Sequence, residues 1–204
     1  MSNVIIESVR GLAPIPIDDV FLKERKIFLV GEVNDASCNS LIKELLYMES
    51  EDHTKPITIF INSPGGDVTS GLAVYDTIRL MQSPVTAVVT GIAASMGSII
   101  LLACDRDKRW MLPQSKIMIH DCSWGHRDMG GKKPYEVEEE LKQLQSVNER
   151  LVSIIAERTG KTKRQIEKVT RFDSYFDAKK AIVFGLASEI VDTDKLALLL
   201  EKGA

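Results

Sequence analysis

The stretch Gly91-Ile92-Ala93-Ala94-Ser95-Met96-Gly97-Ser98 lies between two apolar runs, Val85 to Val89 before it and Ile99 to Ala103 after it. The first run is rich in β-branched valine and predicts a strand; the second predicts a buried helix. A strand joined to a helix by a turn of small residues presents a serine at a helix N-terminus. There the amide dipoles favour negative charge, and N–H groups without intrahelical partners can bind an anion. Ala93-x-Ser95-x-Gly97 is close to the G-x-S-x-G nucleophile elbow, with alanine in the first small position. Taken alone, the stretch is better explained by a Ser and Gly pair loosening the start of a buried helix. The residues around it decide between the two readings.

Upstream, the same alternation repeats. Lys26 to Val30 predicts a strand ended by Gly31, and Asp35 or Ser37 can cap the helix that follows. Leu41, Leu45, Leu46 and Met48 give that helix its apolar face, and Pro56 closes it. Ile57 to Ile61 is a second strand. Asn62-Ser63-Pro64-Gly65-Gly66-Asp67 is a turn of residues that tolerate unusual backbone angles, and it opens a helix carrying Leu72, Val74, Tyr75, Ile78 and Leu80. Three β-α units in a row predict an α/β fold with a mainly parallel sheet and right-handed crossovers. Sites in such sheets gather at the carboxyl ends of strands. The Gly65-Gly66 turn and the Ser95 turn both fall at such ends and are expected to be neighbours.

Downstream, Lys108 to Leu112 and Lys116 to Ile119 predict two short strands around Pro113-Gln114-Ser115, with His120 where the second ends. Residues 121–133 lack a period and read as an extension or loop. Pro134 suits the first turn of a long helix whose apolar positions Val137, Leu141, Leu144, Val147, Leu151 and Ile154 step by threes and fours to Gly160. Thr162-Lys163-Arg164-Gln165 matches a capping box, Asp177 can cap a helix from Ala178 to Phe184, and Gly185 ends it. Glu189 to Val191 is expected to return to the sheet. Residues 1–19, broken by Gly11, Pro14 and Pro16, predict an irregular arm, either flexible or ordered by a partner. Neither repeats nor a linker divide the 204 residues, which read as a single domain.

Composition narrows the function. A net charge of -3 with no basic cluster argues against a nucleic-acid partner. The longest apolar run, Ile99 to Cys104, is too short to span a bilayer, and the first ten residues lack a signal-peptide core, which argues against a membrane. Cys38, Cys104 and Cys122 are an odd count without C-x-x-C spacing, as expected of reduced thiols in the cytoplasm. No zinc spacing is present, so no metal is expected.

A serine nucleophile needs a base, a group to orient the base, and donors for the oxyanion. His120 is the histidine at a strand end beside the serine turn; His53 and His126 read as solvated surface residues. The backbone N–H groups of Gly66 and Met96, both at helix N-termini, are the candidate donors. A carboxylate in a loop returning to the sheet is the third member, and spacing alone leaves Asp173 and Asp177 both open.

Several motifs then fall in one register. Asn62-Ser63-Pro64-Gly65-Gly66, Ala93-Ala94-Ser95-Met96-Gly97, Leu112-Pro113 and Met118-Ile119-His120 resemble the Clp protease proteolytic subunit (ClpP) family in order and spacing. Leu22-Lys23-Glu24-Arg25 with Ile27-Phe28-Leu29 before them, and Ala178, Ala181 and Gly185-Leu186 after, extend the resemblance from Val4 to Val191. It implies a ClpP/crotonase-like fold with a protruding handle of strand and long helix over residues 121–157, and an N-terminal axial segment over residues 1–19. It also implies a serine endopeptidase with Ser95 as nucleophile, His120 as base and Asp173, rather than Asp177, as orienting acid. Gly66 and Met96 match the oxyanion-hole amides.

The resemblance further implies two stacked heptamers enclosing the serines and fed with unfolded protein by an AAA+ unfoldase. This chain has no G-x-x-x-x-G-K-[ST], so no cofactor is expected and ATP is consumed by the partner. Thr58, Phe60, Leu80, Val88, Thr90, Trp110, Leu112 and Val191 match the apical pocket that takes the unfoldase's hydrophobic loop; Thr58 and Thr90 are more polar than is usual there. Asp121-Cys122 stands where the family commonly has Gln-Pro, and Arg171-Phe172 stands where many members have an acidic-basic pair. Those departures define a second reading, a weakly active ring subunit that supports a more active paralogue in a mixed assembly. A crotonase-like acyl-CoA enzyme would typically need carboxylates in place of Ser95 and His120.

Overall fold

The computed structural model describes residues 2–8, 11–123 and 131–200. The N-terminal segment corrects the expectation of an irregular arm. Strands β1 (Asn3–Ser8) and β2 (Gly11–Pro16) pair antiparallel, with Val4 opposite Ile15 and Ile5 opposite Pro14, and helix α1 (Ile17–Lys23) follows. Prolines are compatible with this ribbon because each strand of a two-stranded sheet is an edge, so alternate N–H groups have no ladder partner to lose.

The body of the chain is an α/β fold. Its β-α units are β3 (Lys26–Val33) with α2 (Asp35–Glu51), β4 (Ile57–Gly66) with α3 (Val68–Leu80), and β5 (Val85–Ala94) with α4 (Met96–Ala103). Neither expected residue is the N-cap of α2. Asn34 accepts from the Ser37 N–H, and the Ser37 hydroxyl accepts from the Asn34 N–H, forming a reciprocal box. Asp67 caps α3 by accepting from the Ser70 N–H at 2.7 Å. Strand β3 does not stop at Gly31; it resumes beyond a shift of register between Val30 and Glu32.

Next come β6 (Arg109–Met111), β7 (Lys116–Ile119), the long helix α5 (Pro134–Thr159), α6 (Lys163–Thr170), β8 (Ser174–Asp177), α7 (Ala178–Phe184), β9 (Glu189–Ile190) and α8 (Thr193–Leu200). Strands β3-β4-β5-β6-β9 pair in that order and all in parallel. The sheet forks at β5. Ala87 to Val89 pair with β6, whereas Ile92 to Ala94 pair with β7. Within this sheet, among the described residues, β8 alone runs antiparallel, alongside β7.

All eight residues of α4 are buried, making it the central helix of the core. The buried residues of α5 begin at Leu151, so its first turns are largely exposed, while the helix packs against α4 and α6. The rest of the expected handle runs through residues 124–130, which lie outside the described residues.

Arg109 knits the back of the core. Its side chain is buried and donates to the carbonyls of Cys104 (2.9 Å), Arg158 (2.8 Å) and Gly185 (3.4 Å). These carbonyls lie at the C-terminal ends of α4, α5 and α7, where helix dipoles concentrate negative potential. Burial, and then the neighbouring Arg158, lower the Arg109 pKa to about 10, so it stays charged at neutral pH.

Candidate active site

Three registers assemble the site. Pairing of β5 with β7 sets Ala94 beside Met118, and the Ser95 N–H donates to the Met118 carbonyl at 2.9 Å. Ser95 therefore leaves its strand next to the end of β7, where His120 follows Ile119. The antiparallel pair β7 and β8 sets Ile119 opposite Ser174, which brings Asp173, one residue before β8, alongside His120. Pairing of β4 with β5 sets Ser63 beside Ala93 and brings the Gly65-Gly66 turn over Ser95.

The side chains complete a chain of hydrogen bonds. His120 Nε2 lies 2.9 Å from Ser95 Oγ, and His120 Nδ1 lies 3.0 Å from Asp173 Oδ1. A carboxylate can only accept, so Nδ1 carries the proton and Nε2 is left to accept from the serine hydroxyl. That tautomer is the one in which imidazole can take the serine proton. The Asp173 side chain is 59% exposed and that of His120 27%, so the carboxylate orients a ring that itself lies mostly inside. Asp177 sits elsewhere, capping α7 by accepting from the Lys180 N–H at 2.8 Å.

Ser95 has φ 51° and ψ −121°, a conformation rare for a residue with a side chain. Such strain persists only where surrounding structure enforces it. Gly65 provides part of that enclosure: a Cβ there would sit 2.7 Å from the Ala94 carbonyl oxygen, 2.7 Å from Ser95 Cβ and 2.9 Å from the Met96 nitrogen. A Cβ on Gly66 would collide with the Val33 carbonyl oxygen. Gly65 thus lets the two turns approach so closely, and Gly66 lets its turn lie against β3. Met96 is the first residue of α4, where the helix itself offers its N–H no acceptor. The Ser98 hydroxyl donates to the Ser95 carbonyl at 2.6 Å and fixes the turn from below.

A cavity of about 680 Å³ opens over these groups. Ser95, His120, Gly66 and Met96 line one side, and Leu144, Val147, Leu151 and Ile155 of α5 supply an apolar wall. Cys122 borders the same cavity, its N–H donating to Asn148 Oδ1 at 3.0 Å. Burial, and then Asp121, push its thiol above the usual range. The Asp121 N–H donates to the Thr170 carbonyl at 2.7 Å, and its Oδ1 is buried without a hydrogen-bond partner among the described residues. Phe172 is 74% exposed beside Asp173. Among the described residues no group of three or more His, Cys, Asp or Glu side chains could hold a metal ion, and no helix is long and apolar enough to cross a membrane.

The eight expected docking residues divide. Phe28, Phe60, Val88, Trp110 and Glu189 form one row across β3, β4, β5, β6 and β9. Phe60, Val88 and Val191 are buried in one small cluster, with Trp110 and Leu112 packed against it. Thr58 is half-buried beside Thr86 on β5, Thr90 is exposed with its hydroxyl donating to the Ile61 carbonyl at 3.2 Å, and Leu80 is 84% exposed at the end of α3. Two aromatic residues at this face were not read from the sequence as part of it. Phe28 stacks on Phe60 at 5.0 Å, and Phe21 meets Phe28 edge-on at 5.1 Å. For Phe28 the available signal was its place on β3, level with Phe60 on β4; Phe21 lies on α1, and no local pattern pointed to it. Leu199 of α8 also belongs to the cluster, and nothing in the local sequence assigned it there.

A parallel-sheet α/β fold that hydrogen-bonds a strained serine, a histidine and an aspartate at strand ends has the arrangement serine hydrolases use. The chain belongs to the Clp protease family, which it matches over residues 13–194. Membership of that family implies a serine peptidase.

Proposed function

We propose that this chain is a serine endopeptidase of the ATP-dependent Clp type, with Ser95 as nucleophile, His120 as general base and Asp173 as the acid that orients it. The observation that carries the proposal is the pair of contacts at His120, 2.9 Å to Ser95 Oγ and 3.0 Å to Asp173 Oδ1. His120 takes the hydroxyl proton as Ser95 attacks a peptide carbonyl, then returns it to the leaving amine. The N–H groups of Gly66 and Met96 stabilise the oxyanion, and water releases the acyl enzyme by the same steps. The apolar wall of α5 accepts a side chain next to the cleaved bond, while pairing along an extended substrate backbone gives broad sequence tolerance.

The working enzyme is a homo-oligomer of two stacked heptamers in the cytoplasm, enclosing its sites and receiving unfolded protein from an AAA+ unfoldase that spends the ATP. The chain itself uses neither a cofactor nor a metal. Free Cys38, Cys104 and Cys122 are in keeping with a reducing compartment. The half-exposed first stretch of α5 and the row around Phe60 are the surfaces that support ring stacking and unfoldase docking.

A second reading, a weakly active ring subunit supporting a paralogue, is favoured by Asp121, the residue after His120, whose Oδ1 is buried without a hydrogen-bond partner among the described residues. Degradation of an unfolded protein, measured with and without unfoldase and ATP on particles of determined mass, separates the readings. Degradation by a fourteen-subunit particle of this chain alone supports the first. Inert particles that gain activity only when mixed with a paralogue support the second.

A further inference from the structure

The apolar cluster on the outer face of the sheet already has an occupant. Phe60, Val88 and Val191 are buried there, and the residue that closes the group is Leu199, 7% exposed. Leu199 is the only buried residue of α8. Its neighbours Leu196, Leu198 and Leu200 are 41%, 58% and 50% exposed. The helix thus buries one leucine against the body and leaves its other leucines facing water.

We propose that α8 is an intramolecular plug: Leu199 sits in the pocket that a partner's aliphatic side chain would occupy, and α8 must leave before the partner can dock. The proposal rests on the reading of this cluster as the unfoldase-docking pocket.

Three observations carry it. First, the pocket wall is apolar and is contributed by β4, β5, β6 and the segment after β9, so a single aliphatic side chain satisfies it. Leu199 and an aliphatic residue of a partner are chemically equivalent there and cannot both be seated. Second, α8 is built to detach. A helix of eight residues is marginal without tertiary support, and its one buried anchor is the contact in question.

Third, the base of α8 is anchored independently of Leu199. Asp192 accepts from the Lys195 N–H at 2.8 Å, Lys195 pairs with Glu189 at 2.9 Å, and the Lys195 ammonium lies 5.7 Å from the centre of the Trp110 ring. Release of Leu199 therefore leaves the helix tethered beside the pocket, ready to return. The Clp protease match ends at residue 194, so Leu199 lies beyond the matched span.

Occupancy by α8 lowers the apparent affinity of any competitor by the fraction of time the pocket is open. Loss of one buried leucine anchor corresponds to roughly a tenfold gain in that affinity.

The test uses a fluorescent peptide of residues 193–200 as probe, read by anisotropy. Three proteins are compared: the full chain, a chain ending at Asp192, and full-length Leu199→Asp, which keeps every residue should the shortened chain fold poorly. The expected result is binding about tenfold tighter to the two altered proteins than to the full chain, and loss of that binding in a shortened chain carrying Trp110→Ala. Equal binding to all three proteins, absence of binding to both altered ones, or binding that survives Trp110→Ala would overturn the plug. Stimulation by an AAA+ unfoldase is measured in parallel. If peptide binding tightens while half-maximal unfoldase concentration stays fixed, the docking assignment fails and the pocket belongs to α8 alone.

Discussion

Gly65 lies over Ser95 so closely that a Cβ on Gly65 would stand 2.7 Å from that of the serine. Two turns that are thirty residues apart in sequence thus share one contact surface, and the unusual backbone of Ser95 is held from the other side by it. Gly65 itself has φ +92°, and the nearest obstacles include the Ala94 carbonyl and the Met96 nitrogen, both backbone atoms that cannot rotate away. Gly65→Ala is expected to cost about 2–4 kcal/mol and to lower peptidase activity at least about 100-fold. Thermal unfolding and peptide hydrolysis measure the two effects. Normal activity in a folded Gly65→Ala protein would contradict the contact.

Asp173 and Asp177 are only four residues apart and do different things. Asp173→Asn removes the acceptor that sets the His120 tautomer and is expected to lower kcat by on the order of 10²–10⁴-fold with little change in stability. The lower end reflects the exposure of the Asp173 side chain, which lets water orient part of the imidazole population. Asp177→Ala loses the cap of α7 and is expected to cost about 1 kcal/mol while leaving kcat within about twofold. Steady-state kinetics and thermal melts on both variants check the assignment; the reverse pattern would exchange the roles.

Arg109 donates to three helix ends at once, so no side chain with a single donor replaces it. Arg109→Met removes its bonds to the Arg158 and Gly185 carbonyls, while the Cys104 carbonyl keeps the Arg158 guanidinium at 2.7 Å, and is expected to destabilise the fold by about 3 kcal/mol or more. Arg109→Lys retains the charge but not the fork and is expected to recover less than half of that loss. Denaturant unfolding of the three proteins measures the difference.

Cys122 borders the cavity over Ser95 and His120, whereas Cys38 and Cys104 are buried. Burial pushes the Cys104 thiol up to about 12, which leaves almost no thiolate. Alkylation by iodoacetamide is therefore expected at Cys122 first, with loss of peptidase activity as the adduct fills the cavity. A thiol held above its ordinary range has little thiolate at neutral pH, so inactivation should accelerate with pH across the alkaline range. Cys122→Ser should be active and resistant; inactivation persisting in that variant would place the damage elsewhere.

How far the sequence reached is clear from individual elements. The three β-α units followed from period and turn chemistry because their strands are continuous apolar runs and their helices carry local caps. The juxtaposition of Ser95 with the Gly65 turn followed from the rule that sites gather at strand ends. What spacing could not separate was Asp173 from Asp177, because the difference lies in β8, four residues with no apolar run. Its antiparallel register with β7 is a tertiary fact, and it alone brings residue 173 to His120.

The hairpin β1-β2 was hidden by prolines, which a strand accommodates only at an edge, and whether a strand is an edge is not visible locally. Arg109 looked like an ordinary strand residue, since nothing local shows that three helix ends converge on it. Leu199 was unreadable for the same reason: its burial depends on a pocket made by strands more than a hundred residues earlier, β4 and β5.

The central claim is that Ser95 is the nucleophile, activated by His120. A fluorophosphonate probe reacts with a serine only when a neighbouring base has made it nucleophilic, and mass spectrometry of the labelled protein identifies the residue. The account predicts one adduct per chain, on Ser95, absent from Ser95→Ala and strongly reduced in His120→Ala. An adduct on any other residue, or an assembled wild-type particle that takes no label at all, would contradict it.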